Sequence, residues 1–88
     1  MAILVHEIWQ EGGPNGPLET VCLAGPDGEG ARAMLEKNSR LVRTFEAGSH
    51  FEAMTIYYRL YGRGSYTTDQ PWDYEPYPDD WAARQKAA

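Results

Sequence analysis

The sequence predicts a small α+β domain, a β-β-α-β-α sandwich in which a three-stranded sheet carries two helices on one face. Three observations support this class. Segments 2–10, 18–23 and 40–47 alternate as strands do, the stretch from Ser49 to Gly62 carries signals for both ends of a helix, and 88 residues suit one domain. We predict a core over residues 1–64, followed by an extended Pro- and aromatic-rich C-terminal strap (residues 65–88) that packs on it.

The three predicted strands differ in how much of each face is apolar. Residues 2–10, AILVHEIWQ, have two partly apolar faces, which is typical of a central strand. LETVCL (18–23) alternates as a second strand, paired antiparallel with the first across the turn-rich connection EGGPNGP, and RLVRTFEA (40–47) is the third. Because such a sheet has open edges, edge pairing across a two-fold axis predicts a homodimer as a hypothesis.

A first helix is predicted between the second and third strands. Asp27 is the expected N-cap, and the helix is expected to reach about Asn38 with Ala31, Met34 and Leu35 as a thin apolar stripe. The preceding GPDGEG stands where phosphate loops occur, but its spacing is not that of a Walker loop and its two acids would repel phosphate. A turn is therefore predicted there.

The second helix, Ser49 to Tyr61, has the clearest boundaries in the chain. Ser49 and Glu52 have the spacing of a capping box, and Gly62 stands where helices usually end. Apolar and aromatic side chains cover most of its circumference, so it needs cover on two sides. The sheet can supply one side and another part of the chain must supply the other.

Charge and composition exclude several functional classes. The net charge is −5, and the stretch from Asp69 to Asp80 holds five acids and no base, which disfavours binding to nucleic acid or to an anionic membrane. No apolar run approaches the roughly 18 residues that span a bilayer. The N-terminus lacks the basic and apolar regions of a signal peptide, and Cys22 is the single cysteine, so we expect a cytoplasmic protein.

The C-terminal strap is unusual because it combines prolines with many aromatic residues. Between Arg63 and Trp81 there are three prolines and five tyrosine or tryptophan residues, whereas disordered tails are usually poor in aromatics. Two interpretations stay open. The aromatic side chains either cover the second helix and complete the core, or the strap presents them to a partner. Residues 82–88 are predicted to be a frayed helical end after Asp79 and Asp80.

Two stretches, FEAGSHFEAMTIYYRLYG (45–62) and YTTDQPWDYEPYPDDW (66–81), resemble segments of small bacterial proteins with no assigned activity. The resemblance covers roughly the C-terminal half. It implies a stand-alone bacterial domain and transfers neither a mechanism nor a site residue.

The first functional hypothesis is a non-enzymatic interaction or regulatory module that contacts a basic or aromatic-accepting surface of a protein partner. Aromatic anchors dominate the energetics of interfaces, and nearby acids steer association. The partner-binding residues predicted on this basis are Trp72, Asp73, Tyr74, Glu75, Tyr77, Asp79, Asp80 and Trp81. No cofactor is predicted, and neither His and Cys spacing nor the acidic stretch fits a metal site.

The alternative hypothesis is a small-molecule binding protein or modest enzyme. Its pocket would lie between the second helix and the strap, lined by His50, Tyr57, Tyr61 and Tyr66. His50 is either a structural side chain with a hydrogen-bond partner or a base oriented by a nearby acid, and no motif places a nucleophile beside it. A third possibility, mimicry of nucleic acid by the acidic strap, requires charges spaced like phosphates.

Overall fold

The computed structural model describes residues 2–12 and 18–87, which form a three-stranded antiparallel sheet and three helices. The elements are β1 (Leu4–Glu11), β2 (Leu18–Leu23), α1 (Glu29–Ala33), β3 (Arg40–Ala47), α2 (His50–Leu60) and α3 (Asp79–Ala87). The predicted α+β class is confirmed, and the C-terminal end, which was expected to be a frayed helix outside the five main elements, forms the helix α3. The part of the predicted connection over residues 13–17 lies outside the described residues.

β1 is the central strand, as its two partly apolar faces predicted. The strand order is β2-β1-β3, and both neighbours run antiparallel to β1, so β2 and β3 run in the same direction at opposite edges. His6 lies opposite Leu23 on one side and Phe45 on the other. The pairing with β3 shifts register between Ile8 and Trp9, which makes Val42 an extra residue, a β-bulge.

The core lies on the face of the sheet that carries Leu4, His6 and Ile8, because alternate residues of β1 point to the same side. Leu4 and Ile8 are fully buried, and each contributes roughly 2 kcal/mol through burial of its apolar surface. α2 supplies Ala53 and Tyr57 as its buried residues. The sheet and α2 thus hold the central part of the core between them.

α2 begins and ends where the sequence predicted, to within one residue. The Ser49 hydroxyl accepts the Glu52 backbone N–H at 3.1 Å, while the Glu52 carboxylate accepts the N–H of Gly48 at 2.6 Å. The acceptor therefore reaches one residue before the N-cap. At the other end Gly62 has a φ of 64°, and the N–H of Arg63 donates to the Tyr58 carbonyl, as in a Schellman motif.

α1 is much shorter than predicted, and its predicted cap and apolar stripe are wrong. A 3₁₀ turn over Pro26–Gly28 leads into only five helical residues, and the N-cap is Gly28 with no side-chain hydrogen bond. Met34 is 86 % exposed. A Cβ on Gly28 would lie 1.7 Å from the Leu23 carbonyl oxygen, so the close approach of this turn to β2 requires glycine. This contact fixes the turn before α1, and the helix ends early because its thin apolar stripe is not covered.

The C-terminal strap is joined to the core by backbone pairing. Isolated β-bridges link Tyr77 to Ala2 and Pro76 to Ser49, and the Tyr77 N–H donates to the Gly48 carbonyl at 2.9 Å. A 3₁₀ turn over Pro71–Tyr74 interrupts the extended path before these bridges. Helix α3 starts at Asp79, three residues before the predicted helical end, so Trp81 is helical.

A side-chain amide fastens α3 to the sheet. The Gln85 amide oxygen accepts the Val5 N–H at 2.8 Å, and its nitrogen donates to the carbonyls of Val5 and Ala24 at 2.9 Å each. These are backbone groups at the end of the β1–β2 ladder, where the Ala24 N–H still bonds to Val5. Gln85 thus continues the ladder where the two strands separate.

Candidate binding site

A cavity of about 630 Å³ lies between the sheet, the first half of α2 and the C-terminal strap. Its volume and mainly apolar surface are those of a ligand-binding site. The sheet contributes His6, Val21, Cys22 and Leu23, the region around α1 contributes Asp27, Gly28 and Ala31, α2 contributes His50, Ala53 and Met54, and the strap contributes Trp72, Asp73, Glu75, Pro76, Tyr77, Pro78 and Trp81.

The floor of the cavity is formed by the buried imidazole of His6. Its Nδ1 lies 3.0 Å from the Leu4 carbonyl, which can only accept, so Nδ1 carries the proton of the neutral ring. Nε2 then accepts a hydrogen bond from the Tyr77 hydroxyl at 2.9 Å. Burial lowers the pKa of His6 below its ordinary 6.5, although the bond to the carbonyl acts in the opposite direction. The geometry and the environment therefore both favour an uncharged floor.

Tyr77 connects this floor to the strap. Burial, together with the charge of nearby Glu52, raises the pKa of the Tyr77 hydroxyl to about 12, so it stays a hydrogen-bond donor. Its ring stacks on Trp81 with centroids 5.8 Å apart, and the His6 ring stacks on Phe45 at 5.1 Å. Tyr77 is thus held by its backbone, its ring and its hydroxyl.

The rim of the cavity is built by the 3₁₀ turn at Pro71–Tyr74. Two backbone hydrogen bonds fix the turn. The Asp73 N–H donates to the Gln70 carbonyl at 3.1 Å, and the Glu75 N–H donates to the Trp72 carbonyl at 3.2 Å. The Asp73 carboxylate also accepts from the Thr68 hydroxyl at 2.7 Å. Trp72 is 63 % exposed although it lines the cavity, so the rim is open to solvent.

Six of the sequence-predicted site residues meet at this cavity. His50, from the alternative hypothesis, joins Trp72, Asp73, Glu75, Tyr77 and Trp81 from the first. The two hypotheses had placed them at separate sites. Their meeting depends on the docking of the strap beside α2.

The other predicted residues of the strap do not line this cavity. Tyr74 packs on Phe51 with ring centroids 4.5 Å apart, and its hydroxyl donates to the Thr68 carbonyl. Asp80 lies in the first turn of α3 and pairs with Arg84 at 3.1 Å. Asp79 begins that helix, where a carboxylate interacts favourably with the helix dipole.

The tyrosines of the alternative hypothesis also lie outside the cavity. Tyr66 packs its ring on His50, Phe51 and Tyr58, on the side of α2 that the strap covers. Tyr61 packs on Tyr57 with centroids 5.3 Å apart. Their contacts are ring contacts along α2.

Tyr57 belongs to a cluster that ties α2 to β2. Its hydroxyl donates to the Glu19 carboxylate at 2.9 Å, and Arg63 donates to the same oxygen at 2.8 Å. The Arg63 guanidinium also lies 5.4 Å from the centre of the Tyr57 ring. Partial desolvation acts to raise the pKa of Glu19, but the bonds from Arg63 and Tyr57 outweigh it and lower that pKa.

His6, which forms the cavity floor, was not among the site residues predicted from the sequence. The signal for it was the alternation of β1, which places a histidine between Leu4 and Ile8 on the buried face. A buried ring nitrogen needs a partner, and the partner came from Tyr77, 71 residues away. Nothing local in the sequence indicates that pairing.

No family model, curated protein or solved structure matches this chain. Within residues 2–12 and 18–87, no cluster of three His, Cys, Asp or Glu side chains is arranged to hold a metal ion. No helix in the same ranges is long and apolar enough to cross a membrane. The cavity and its rim are therefore the features from which a function can be inferred.

Proposed function

We propose that this protein is a non-enzymatic binding module that holds a protein partner at the cavity through the acidic and aromatic residues of the C-terminal strap. One observation carries the proposal. Trp72, Asp73 and Glu75 stand on the rim of a mainly apolar cavity of about 630 Å³ while Tyr77 holds the strap against His6. A large exposed aromatic side chain beside an apolar recess is the arrangement in which interface hot spots occur.

The strap is ordered before any partner arrives, which favours binding. Its turn is fixed by backbone hydrogen bonds, and its bridges to Ala2 and Ser49 hold the far end. A partner therefore loses less free energy to ordering of the strap than it would to ordering of a disordered tail. The acidic rim would speed association with a basic surface and make it sensitive to salt.

The experiment is capture of partners from a bacterial lysate with the wild-type protein, Trp72→Ala and Met34→Ala. Met34 is the matched control, because it is exposed and apolar but lies away from the cavity. We expect a protein retained by the wild type and by Met34→Ala and lost with Trp72→Ala. With that partner purified, calorimetry should show affinity falling as salt is raised. Equal retention by all three proteins, or a salt-independent affinity, contradicts the proposal.

A second candidate function is binding or turnover of a small molecule in the same cavity. The volume favours it, since small-molecule sites typically measure about 300–1,000 Å³, and His50 lines the wall. Substitution His50→Gln should then abolish ligand binding while leaving the unfolding temperature unchanged. Loss of folding in that variant would assign His50 a structural role.

The homodimer and the cytoplasmic location predicted from the sequence are also part of the proposal. The outer edge of β3 is the surface for pairing of two copies, although the bulge at Val42 and the charges of Arg40 and Arg43 are features that limit such pairing. Sedimentation of the purified protein decides between monomer and dimer. Fractionation of cells producing the protein tests the location.

A further inference from the structure

Carboxylates outnumber basic groups around the cavity, where His50 is the basic side chain in the lining. Of the described residues that line it, Asp27, Asp73 and Glu75 carry carboxylates and none is Lys or Arg. Asp27 pairs with Arg84 at 3.2 Å, so its charge is compensated. Asp73 accepts hydrogen bonds from hydroxyl groups, which carry no charge, and no ion pair among the described residues includes Glu75. Two uncompensated carboxylates therefore stand on the rim.

The remaining wall suits the apolar stem of a cationic side chain. Trp72, Tyr77 and Trp81 contribute aromatic rings to the lining. Aromatic rings attract cations electrostatically and also pack against the methylene groups of lysine and arginine. The floor does not oppose a cation, because His6 Nε2 accepts a hydrogen bond and is therefore unprotonated in the neutral ring.

From this arrangement we propose that the cavity accepts a lysine or arginine side chain from a basic segment of the partner. The side chain lies across the mouth of the cavity, with its methylene groups against the aromatic rings and its charged end near Asp73 and Glu75. This inference rests on the proposed function and narrows it to a kind of partner surface. A neutral apolar side chain would fill the same volume without using either carboxylate.

The test uses short synthetic peptides that differ only at a central residue, which is lysine, arginine, norleucine or glutamate. Binding is followed by calorimetry and by intrinsic tryptophan fluorescence, to which Trp9 contributes along with Trp72 and Trp81. We expect the lysine and arginine peptides to bind, the norleucine peptide to bind about ten-fold more weakly, and the glutamate peptide not to bind. Norleucine is the control because it keeps the four-carbon chain of lysine and lacks its ammonium group.

The variants separate the two parts of the site. Glu75→Gln should weaken the lysine peptide roughly three-fold and leave the norleucine peptide unchanged, because it removes charge alone. Trp72→Ala should weaken both peptides, by about ten-fold for lysine. Circular dichroism checks that both variants keep the fold, and both side chains are exposed enough to expect this.

Several results would overturn the inference. Binding of norleucine as tight as lysine would make the cavity a neutral apolar site, and failure of every peptide at high concentration would remove the proposed occupant. Binding of free n-butylammonium without binding of the lysine peptide would assign the cavity to a small molecule. A captured partner that needs Trp72 but tolerates loss of the basic residues in its contacting segment overturns this inference and leaves the proposed function intact.

Discussion

Two tyrosine hydroxyl groups hold opposite parts of the core, and their acceptors differ. Tyr77 donates to a buried imidazole nitrogen of His6, whereas Tyr57 donates to the Glu19 carboxylate, which also receives Arg63. His6 is 3 % exposed, so water cannot readily replace Tyr77. The cavity floor therefore depends on one hydrogen bond, while the tie between α2 and β2 is redundant.

This difference links the fold to the candidate site. The hydroxyl of Tyr77 comes from the C-terminal strap, and the strap also supplies the aromatic and acidic rim. Contacts that fix the strap are therefore the contacts that shape the cavity. Changes near Tyr57 should affect stability with little effect on the cavity, and changes near Tyr77 should affect both.

The largest effect on stability is expected from removal of the whole strap, in a chain that ends at Gly64. This truncation removes Tyr77, Gln85 and the backbone bridges, and it exposes His6. We expect loss of cooperative thermal unfolding by circular dichroism, with sedimentation showing an expanded or aggregated chain. A truncated protein with a stable fold would contradict this and leave the strap's aromatic side chains for partner binding alone.

Two conservative variants, each of which removes one of the two tyrosine hydroxyl groups, test whether Tyr77 and Tyr57 differ in their contribution to stability. Tyr77→Phe leaves a buried His6 nitrogen without its donor and should lower the free energy of unfolding by about 2 kcal/mol. Tyr57→Phe leaves Glu19 bonded to Arg63 and should cost less than about 1 kcal/mol. Urea unfolding of both variants measures the difference. Equal losses would show that the two acceptors are not as different as the geometry indicates.

Gln85 provides a second test of how firmly the strap is fixed. Gln85→Leu leaves the Val5 N–H and the Ala24 carbonyl without that partner, and because both are only partly buried we expect a loss of about 1 kcal/mol. Gln70→Leu, at an exposed position of the strap, is the control and should change stability by less than about 0.5 kcal/mol. Equal effects of the two substitutions in urea unfolding would mean that Gln85 does not fasten α3.

The sequence was most informative where the determinants of structure are local. Ser49, Glu52 and Gly62 lie within one helix and mark its ends correctly, and alternation identified all three strands. It could also have placed α3, because Asp80 and Arg84 form an i,i+4 pair on a helix whose first turn is acidic. Only residues 82–88 were predicted to be helical, because the prolines before them favour an extended chain, and the start at Asp79 was missed.

The features that the sequence did not predict correctly depend on contacts between residues that are distant in the sequence. The 3₁₀ turn before α1 lies against the Leu23 carbonyl, and no helical periodicity encodes that approach; α1 then ends at Ala33, where Met34 finds no cover. The cavity exists because Pro76 and Tyr77 pair with Ser49 and Ala2, which are neighbours at one end of the sheet but lie far from the strap in the sequence. Residue types could name the candidates for binding, but only the docking of the strap could bring them together.

The smallest expected effect is a pH dependence of the free energy of unfolding, which distinguishes His6 from Glu19, the acceptors of the two tyrosine hydroxyl groups. The folded state lowers the pKa of His6 below 6.5, mainly through burial, so below that pH the unfolded chain takes up a proton that the folded protein does not. The contribution of His6 to the free energy of unfolding should therefore be complete above pH 6.5. It should decrease as the pH is lowered from 6.5 toward the pKa of His6 in the folded state. The lowered pKa of Glu19 contributes only below 4.5, in the same direction.

Urea unfolding between pH 7 and pH 5 isolates the contribution of His6. The wild type should lose stability over this interval, and Glu19→Gln should lose it in parallel, because Glu19 does not titrate there. His6→Gln, which keeps a donor and an acceptor, should lose less, and His50→Gln controls for the second histidine, whose charge acts on His6. If His6→Gln lost stability in parallel with the wild type, a group other than His6 would be responsible for the loss. That result would contradict a lowered pKa for His6.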